Sequence, residues 1–97
     1  MESPLRVAAD HPAYTGHFPG RPILPGVVLL AEVMHEVARS TGRDADRWTI
    51  ANAKFLNPVS PGTPLTLVHE PSANGGIRFE VRGAGGLVAS GALAPRD

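Results

Sequence analysis

The chain has no cysteine. That removes disulfides, thiolate metal sites and a thiol nucleophile. It has no surplus of charge either. Nine basic residues face nine acidic ones among 97, so nothing global favours nucleic acid or an anionic membrane as a partner. Long apolar runs are missing too. The longest, residues 23–34, is interrupted by Glu32 and is too short to cross a bilayer. The first residues lack a basic stretch followed by an apolar core, so no secretion signal is expected and a cytoplasmic location is the default. The four histidines are scattered, with no pair at a ligand spacing joined to a third ligand, so no metal is expected. What remains is an ordinary globular mixture, 42% hydrophobic and 19% charged. At this length it makes one domain, residues 1–97, with a core that is marginal on its own.

Proline and glycine are plentiful, and they concentrate in Gly16-His17-Phe18-Pro19-Gly20-Arg21-Pro22-Ile23-Leu24-Pro25-Gly26. Pro19, Pro22 and Pro25 fix their own φ and push Phe18, Arg21 and Leu24 away from helical geometry. The stretch therefore reads as a stiff, extended loop. Pro25 and Gly26 then open a helix, where the missing proline N–H costs nothing. No Ser, Thr, Asp or Asn stands immediately before it as a cap. The first backbone N–H groups are left to bind something else, with the positive end of the helix dipole behind them. A lone histidine is commonly structural, but His17 in a braced loop beside an uncapped helix start suggests a general base next to an anion or carbonyl site.

In chain order, residues 1–4 read as a frayed end and residues 5–9 as a short strand, broken by Asp10-His11-Pro12, with His11 a solvated loop residue. The helix is expected over residues 26–40. Its apolar residues leave only a narrow polar stripe, Glu32, His35, Glu36 and Arg39, so it should be wrapped on several sides. Gly42 is the expected stop, and residues 43–47 form a charged loop. Antiparallel strands follow over residues 48–55, 65–69, 77–81 and 87–93. They are punctuated by Asn57-Pro58, Ser60-Pro61-Gly62, Asn74-Gly75-Gly76 and Gly83-Ala84-Gly85-Gly86. His69, beside Glu70-Pro71 at a strand end, reads as a surface residue. One apolar helix against one antiparallel sheet is an α+β domain.

The run Gly16 to Gly26 resembles the signature loop of the hotdog-fold 3-hydroxyacyl-(acyl carrier protein) dehydratases. Phe55-Leu56-Asn57-Pro58-Val59-Ser60-Pro61-Gly62 is similar to that family's second recurrent segment. The resemblance covers residues 5–93, and the compact length is most like the short members of aryl-polyene-type pathways. It implies an antiparallel sheet wrapped around one long central helix and paired with a second copy. It also implies dehydration, or the reverse hydration, of 3-hydroxyacyl thioesters in fatty-acid or polyene-type biosynthesis. His17 matches the catalytic histidine that takes a proton from the carbon beside the thioester carbonyl. Gly26 matches the glycine whose N–H binds that carbonyl, a donor fixed at a helix start as enolate stabilisation requires. The resemblance further implies a substrate tunnel lined by Phe18, Pro25, Val27 and Phe55. No cofactor of the chain's own is implied, because the phosphopantetheine arm comes with an acyl carrier protein. That partner is acidic, and Arg21, Arg43, Arg47 and Arg78 are candidates to meet it.

One position departs from the family. The Asp or Glu that handles the departing hydroxyl corresponds here to Ala31, and a methyl group moves no proton. Glu32 is adjacent in sequence but about 100° away around the helix. His35 lies one turn on, on nearly the same face, and could substitute, although a stripe histidine bonded to Glu32 or Glu36 is the plainer reading. Ala31 keeps two alternatives open beside the dehydratase: a hotdog subunit that binds an acyl chain or pairs with an active partner, and, less well supported, a hotdog thioesterase. The small core and the apolar helix lead to the expectation of a homodimer whose two sheets join edge to edge.

Overall fold

The computed structural model describes residues 1–5, 26–60, 63–73 and 75–96. Their elements are β1 (Glu2–Leu5), α1 (Gly26–Thr41), a short 3-10 turn (Ala45–Arg47), β2 (Trp48–Phe55), β3 (Leu65–Pro71), β4 (Ile77–Gly83) and β5 (Gly86–Pro95). The strands form one antiparallel sheet in the order β1-β3-β4-β5-β2. The helix lies against one face of it.

Side-chain alternation decides which face. Leu65 and Leu67 of β3 and Ile77, Phe79 and Val81 of β4 point inward, and they meet Leu29, Val33 and Val37 from α1 in one buried cluster. The three helical residues are spaced four apart, which stacks them on a single stripe. Val28, Leu30 and Met34 flank that stripe, partly buried against the same cluster. Val27 is 75% exposed and Ala31 is open as well, so among the described residues this side of the helix is left uncovered. The helix ends as expected. Gly42 takes a φ of 74° and its N–H donates to the Ala38 carbonyl at 2.9 Å, the left-handed stop that glycine adopts without strain.

Two expectations are overturned. The first residues are not frayed. Glu2–Leu5 pairs with β3 in the register Glu2↔Val68 to Leu5↔Leu65, and Ser3 and Leu5 are buried. Pro4 faces outward on this edge strand, where its missing N–H breaks no ladder. The described strand is thus Glu2–Leu5, and residues 6–9 of the expected strand lie outside the described residues. His69 is not a surface residue either, being 3% exposed. β3 runs on to Pro71, so residue 69 shares the inward parity of Leu65 and Leu67. Its Nε2 lies 3.2 Å from Ser40 Oγ on α1, and its carbonyl accepts from the Met1 ammonium at 2.8 Å. Burial holds the imidazole below its usual pKa, helped by the nearby ammonium and opposed by Glu36.

Among the described residues, β2 is held to the sheet on one side only. It pairs with β5 through an irregularity between Ile50 and Asn52, a bulge that brings the two backbones close. A Cβ on Gly91 would stand 2.4 Å from the Asn52 carbonyl oxygen and 2.9 Å from Phe79 Cζ, so that position accepts no side chain without moving β2.

Candidate active site

The start of α1 and the end of β2 meet. The Phe55 ring sits over Gly26 so closely that a Cβ there would lie 2.7 Å from Phe55 Cζ. Only glycine lets the ring rest on the helix start. The chain after Phe55 is then pinned to β5: the N–H groups of Leu56 and Asn57 donate to the Val88 carbonyl at 2.8 and 3.3 Å. The Asn57 amide donates to the Leu87 carbonyl at 2.8 Å. Val59 tucks into the core. The result is a cleft of about 430 Å³ lined by Gly26, Leu29 and residues 55–59.

This cleft joins the described parts of the two sequence motifs. Gly26 comes from the first and residues 55–59 from the second. Its walls are mainly apolar, and at one end stands a helix start with no acidic residue in its first turn. The N–H groups there have no intrahelical acceptor. Such a site suits an uncharged chain that carries one oxygen in need of donors. Leu29, Leu56, Asn57, Pro58 and Val59 were not named as lining from sequence. The signal available was the second motif itself, whose whole length, not Phe55 alone, forms the wall. Val27 does not line this cleft, and His17, Phe18 and Pro25 lie outside the described residues.

The helix residues considered for proton transfer lie elsewhere in the protomer. Val27, Ala31 and His35 succeed one another along the outward side of α1, all exposed. Glu32 and His35 line a second cleft, of about 470 Å³, with Pro4 and Leu5 of β1 and with Glu36 and Arg39. Glu36 is committed there. Arg39 Nε donates to its Oε1 at 3.0 Å, and Arg39 Nη2 pairs with Oε2. That guanidinium holds the Glu36 carboxyl below its usual range, and the Ser3 side chain adds to the effect, so Glu36 is poorly suited to give up a proton. Glu32 and His35 make no ion pair among the described residues. No group of three His, Asp or Glu side chains among the described residues could hold a metal ion, and no helix among them is long and apolar enough to cross a membrane.

A five-stranded antiparallel sheet with one long helix on its inner face defines a hotdog-type α+β protein. Within that class the chain belongs to the ApeI-like family, described as ApeI dehydratase, whose model matches residues 1–92. It is 46% identical over 70 residues to the 3-hydroxyacyl-[acyl-carrier-protein] dehydratase FabZ of Brucella ovis, an alignment covering 63% of this chain and 44% of that one. It is 38% identical over 101 residues to FabZ of Chlamydia trachomatis, covering 91% and 66%. The chain thus spans less than two thirds of the length of these relatives. Among solved structures, the dehydratase heterocomplex ApeI:P from Xenorhabdus doucetiae superposes with a TM-score of 0.77 at 26% identity, covering 98% of this chain and 86% of that one.

Proposed function

We propose that this protein is a single hotdog domain, residues 1–97, that dehydrates 3-hydroxyacyl thioesters delivered by an acyl carrier protein in fatty-acid or polyene-type biosynthesis. The observation that carries the reading is the meeting of both motif segments at the Gly26 cleft. In this reading the thioester carbonyl rests at the start of α1, where the Gly26 N–H steadies the oxygen as it becomes enolate-like. His17 takes the proton from the adjacent carbon. The 3-hydroxyl leaves as water, and a 2,3-unsaturated thioester remains on the carrier. The chain needs no cofactor of its own for this, since the phosphopantetheine arm arrives with the substrate. The acyl chain runs along Phe55 and, as the family resemblance implies, along Phe18 and Pro25, which lie outside the described residues. A homodimer is supported by β2, which among the described residues has one unpaired edge and seven of its eight residues exposed, and by the open side of α1 at Val27 and Ala31. The reaction is placed in the cytoplasm.

The leaving hydroxyl also needs a proton. Ala31 cannot give one, so it comes from His35, from Glu32, from water, or from His17 after it has collected the substrate proton. Loss of a placed general acid costs about 10²–10⁴ in rate. Installing the carboxylate, Ala31→Asp, is expected to raise turnover, and His35→Ala to lower what the parent retains. If the parent is already fast and neither variant changes its dehydration rate, the acid lies elsewhere and Ala31 does not occupy the acid position.

One observation favours a second reading. Ala31 stands on an open helix face, and the Xenorhabdus relative is a dehydratase complex of two different subunits. A chain without the acid would then serve as the non-catalytic, acyl-binding partner of an active hotdog subunit. Turnover that appears only on adding such a subunit, with Ala31→Asp still inert alone, would select it.

A further inference from the structure

The opposite end of α1 from Gly26 gathers three arginines, with Asp44 and Asp46 beside them in the chain. Arg43 follows the helix, Arg47 closes the 3-10 turn and Arg96 follows β5. Backbone bonds join Arg96 to Arg47, and Arg47 to Asp44, the residue after Arg43. The Arg96 N–H donates to the Arg47 carbonyl at 2.7 Å, and the Arg47 N–H donates to the Asp44 carbonyl at 3.0 Å. They line a cleft of about 460 Å³ with Gly42, Pro95 and a single carboxylate residue, Asp44.

The other described arginines differ. Arg39 is paired with Glu36, Arg78 with Glu70 and Arg82 with Glu80. Among the described residues, Arg43, Arg47 and Arg96 enter no ion pair. Arg43 stacks instead over the Trp48 ring, 6.0 Å from its centroid, an arrangement that orders the guanidinium without consuming its N–H donors. Arg96 spends one long contact, Nη1 to the Asp46 carbonyl at 3.5 Å. The negative end of the helix accounts for one cation nearby. It does not account for three guanidiniums on one concave surface.

We propose that this cleft is an anion site that takes a phosphate group. Planar guanidiniums bind phosphate oxygens through paired N–H donors. Three of them on separate segments can surround a tetrahedral anion, and the Arg43–Trp48 stack holds one donor set in place beforehand. The site stands on charge and geometry alone and does not depend on the dehydratase reading.

Trp48 is the chain's one tryptophan, so its fluorescence reports directly on Arg43. Titrating the whole protein with inorganic phosphate should give a saturable change that sodium chloride at matched ionic strength does not reproduce. Arg47→Gln and Arg96→Gln should each weaken the apparent affinity by about tenfold, the loss of one charge-assisted contact. Arg78→Gln, on a paired arginine elsewhere, should leave it unchanged. Circular dichroism should show all three variants folded. A second arm compares coenzyme A with phosphate-free pantetheine. Tighter binding of coenzyme A than of inorganic phosphate supports the site and assigns it to a phosphate on a thioester handle. Equal affinity supports it and assigns it to free phosphate. A linear change matched by chloride, or saturation unaffected by both Arg47→Gln and Arg96→Gln, would overturn the proposal.

Discussion

β4 and β2 belong to one sheet, have nearly the same length and both carry apolar side chains, yet they end in different conditions. β4 lies between β3 and β5, and its Ile77, Phe79 and Val81 are buried while Arg78 and Arg82 face out. Among the described residues β2 has a neighbour on one side only, and beyond Trp48 it is exposed along its whole length. Phe79 is 2% exposed and Phe55 49%. The two phenylalanines separate what a strand's composition specifies from what its neighbours supply. β4 is complete within the protomer. β2 offers an edge and a surface that no other described residue covers, which is what the proposed homodimer would use.

The sharpest test of the difference is a pair of truncations followed by denaturant unfolding. Phe79→Ala should cost about 3–5 kcal/mol, the range for emptying a core phenylalanine site. Phe55→Ala should cost the protomer less than about 1 kcal/mol, because half of that ring already meets solvent. Equal costs would mean that β2 is as internal as β4. A smaller effect on stability but a larger one on assembly is expected from Ile50→Lys. A charge on a free edge leaves the fold within about 0.5 kcal/mol but blocks strand addition. Sedimentation should then show a dimeric parent and a monomeric variant. A monomeric parent at micromolar concentration would remove the comparison's main lesson.

The smallest effect concerns His69, on the complete side of the sheet. Its folded pKa lies below the ordinary 6.5 because of burial. At low pH the unfolded chain therefore takes up a proton more readily than the folded one. Stability is full above pH 6.5 and declines as pH falls through the depressed folded value. His69→Gln should flatten that part of the stability–pH curve. An unchanged slope would show that the imidazole titrates like a solvated one.

Most of the fold was legible because period and punctuation agree. β2 begins at Trp48 and ends at Phe55 as its pattern predicts, and the clean alternation of Ile77, Phe79 and Val81 places β4's inward face correctly. The departures at Glu2–Leu5 and His69 share one cause: pairing, not polarity, decides where a strand ends. Glu2 and Pro4 look like a loose end until β3 is beside them. His69 looks exposed until the strand is carried on to Pro71 and parity turns it inward. The close approach of Gly91 to Asn52 is not legible at all, since a bulge depends on the register of two distant strands. Of the site, Gly26 and Phe55 were named and do come together, whereas the remainder of the wall follows from backbone bonds to Val88 and Leu87. Glu32 and His35 could be placed on the helix from sequence. That they open onto β1 and not onto the Gly26 cleft depends on the helix's rotation against the sheet, which the polar stripe alone does not specify.

The central claim is that thioester chemistry of the dehydrating kind belongs to the Gly26 cleft with His17 as base. The most direct measurement offers the protein a 3-hydroxyacyl thioester on an acyl carrier protein and follows the conjugated 2,3-unsaturated product and free thiol together, for the parent and for folded His17→Ala. The account predicts that the unsaturated thioester accumulates without thiol release in the parent and is lost in His17→Ala. Release of free thiol by the parent, or undiminished dehydration by folded His17→Ala, would contradict it.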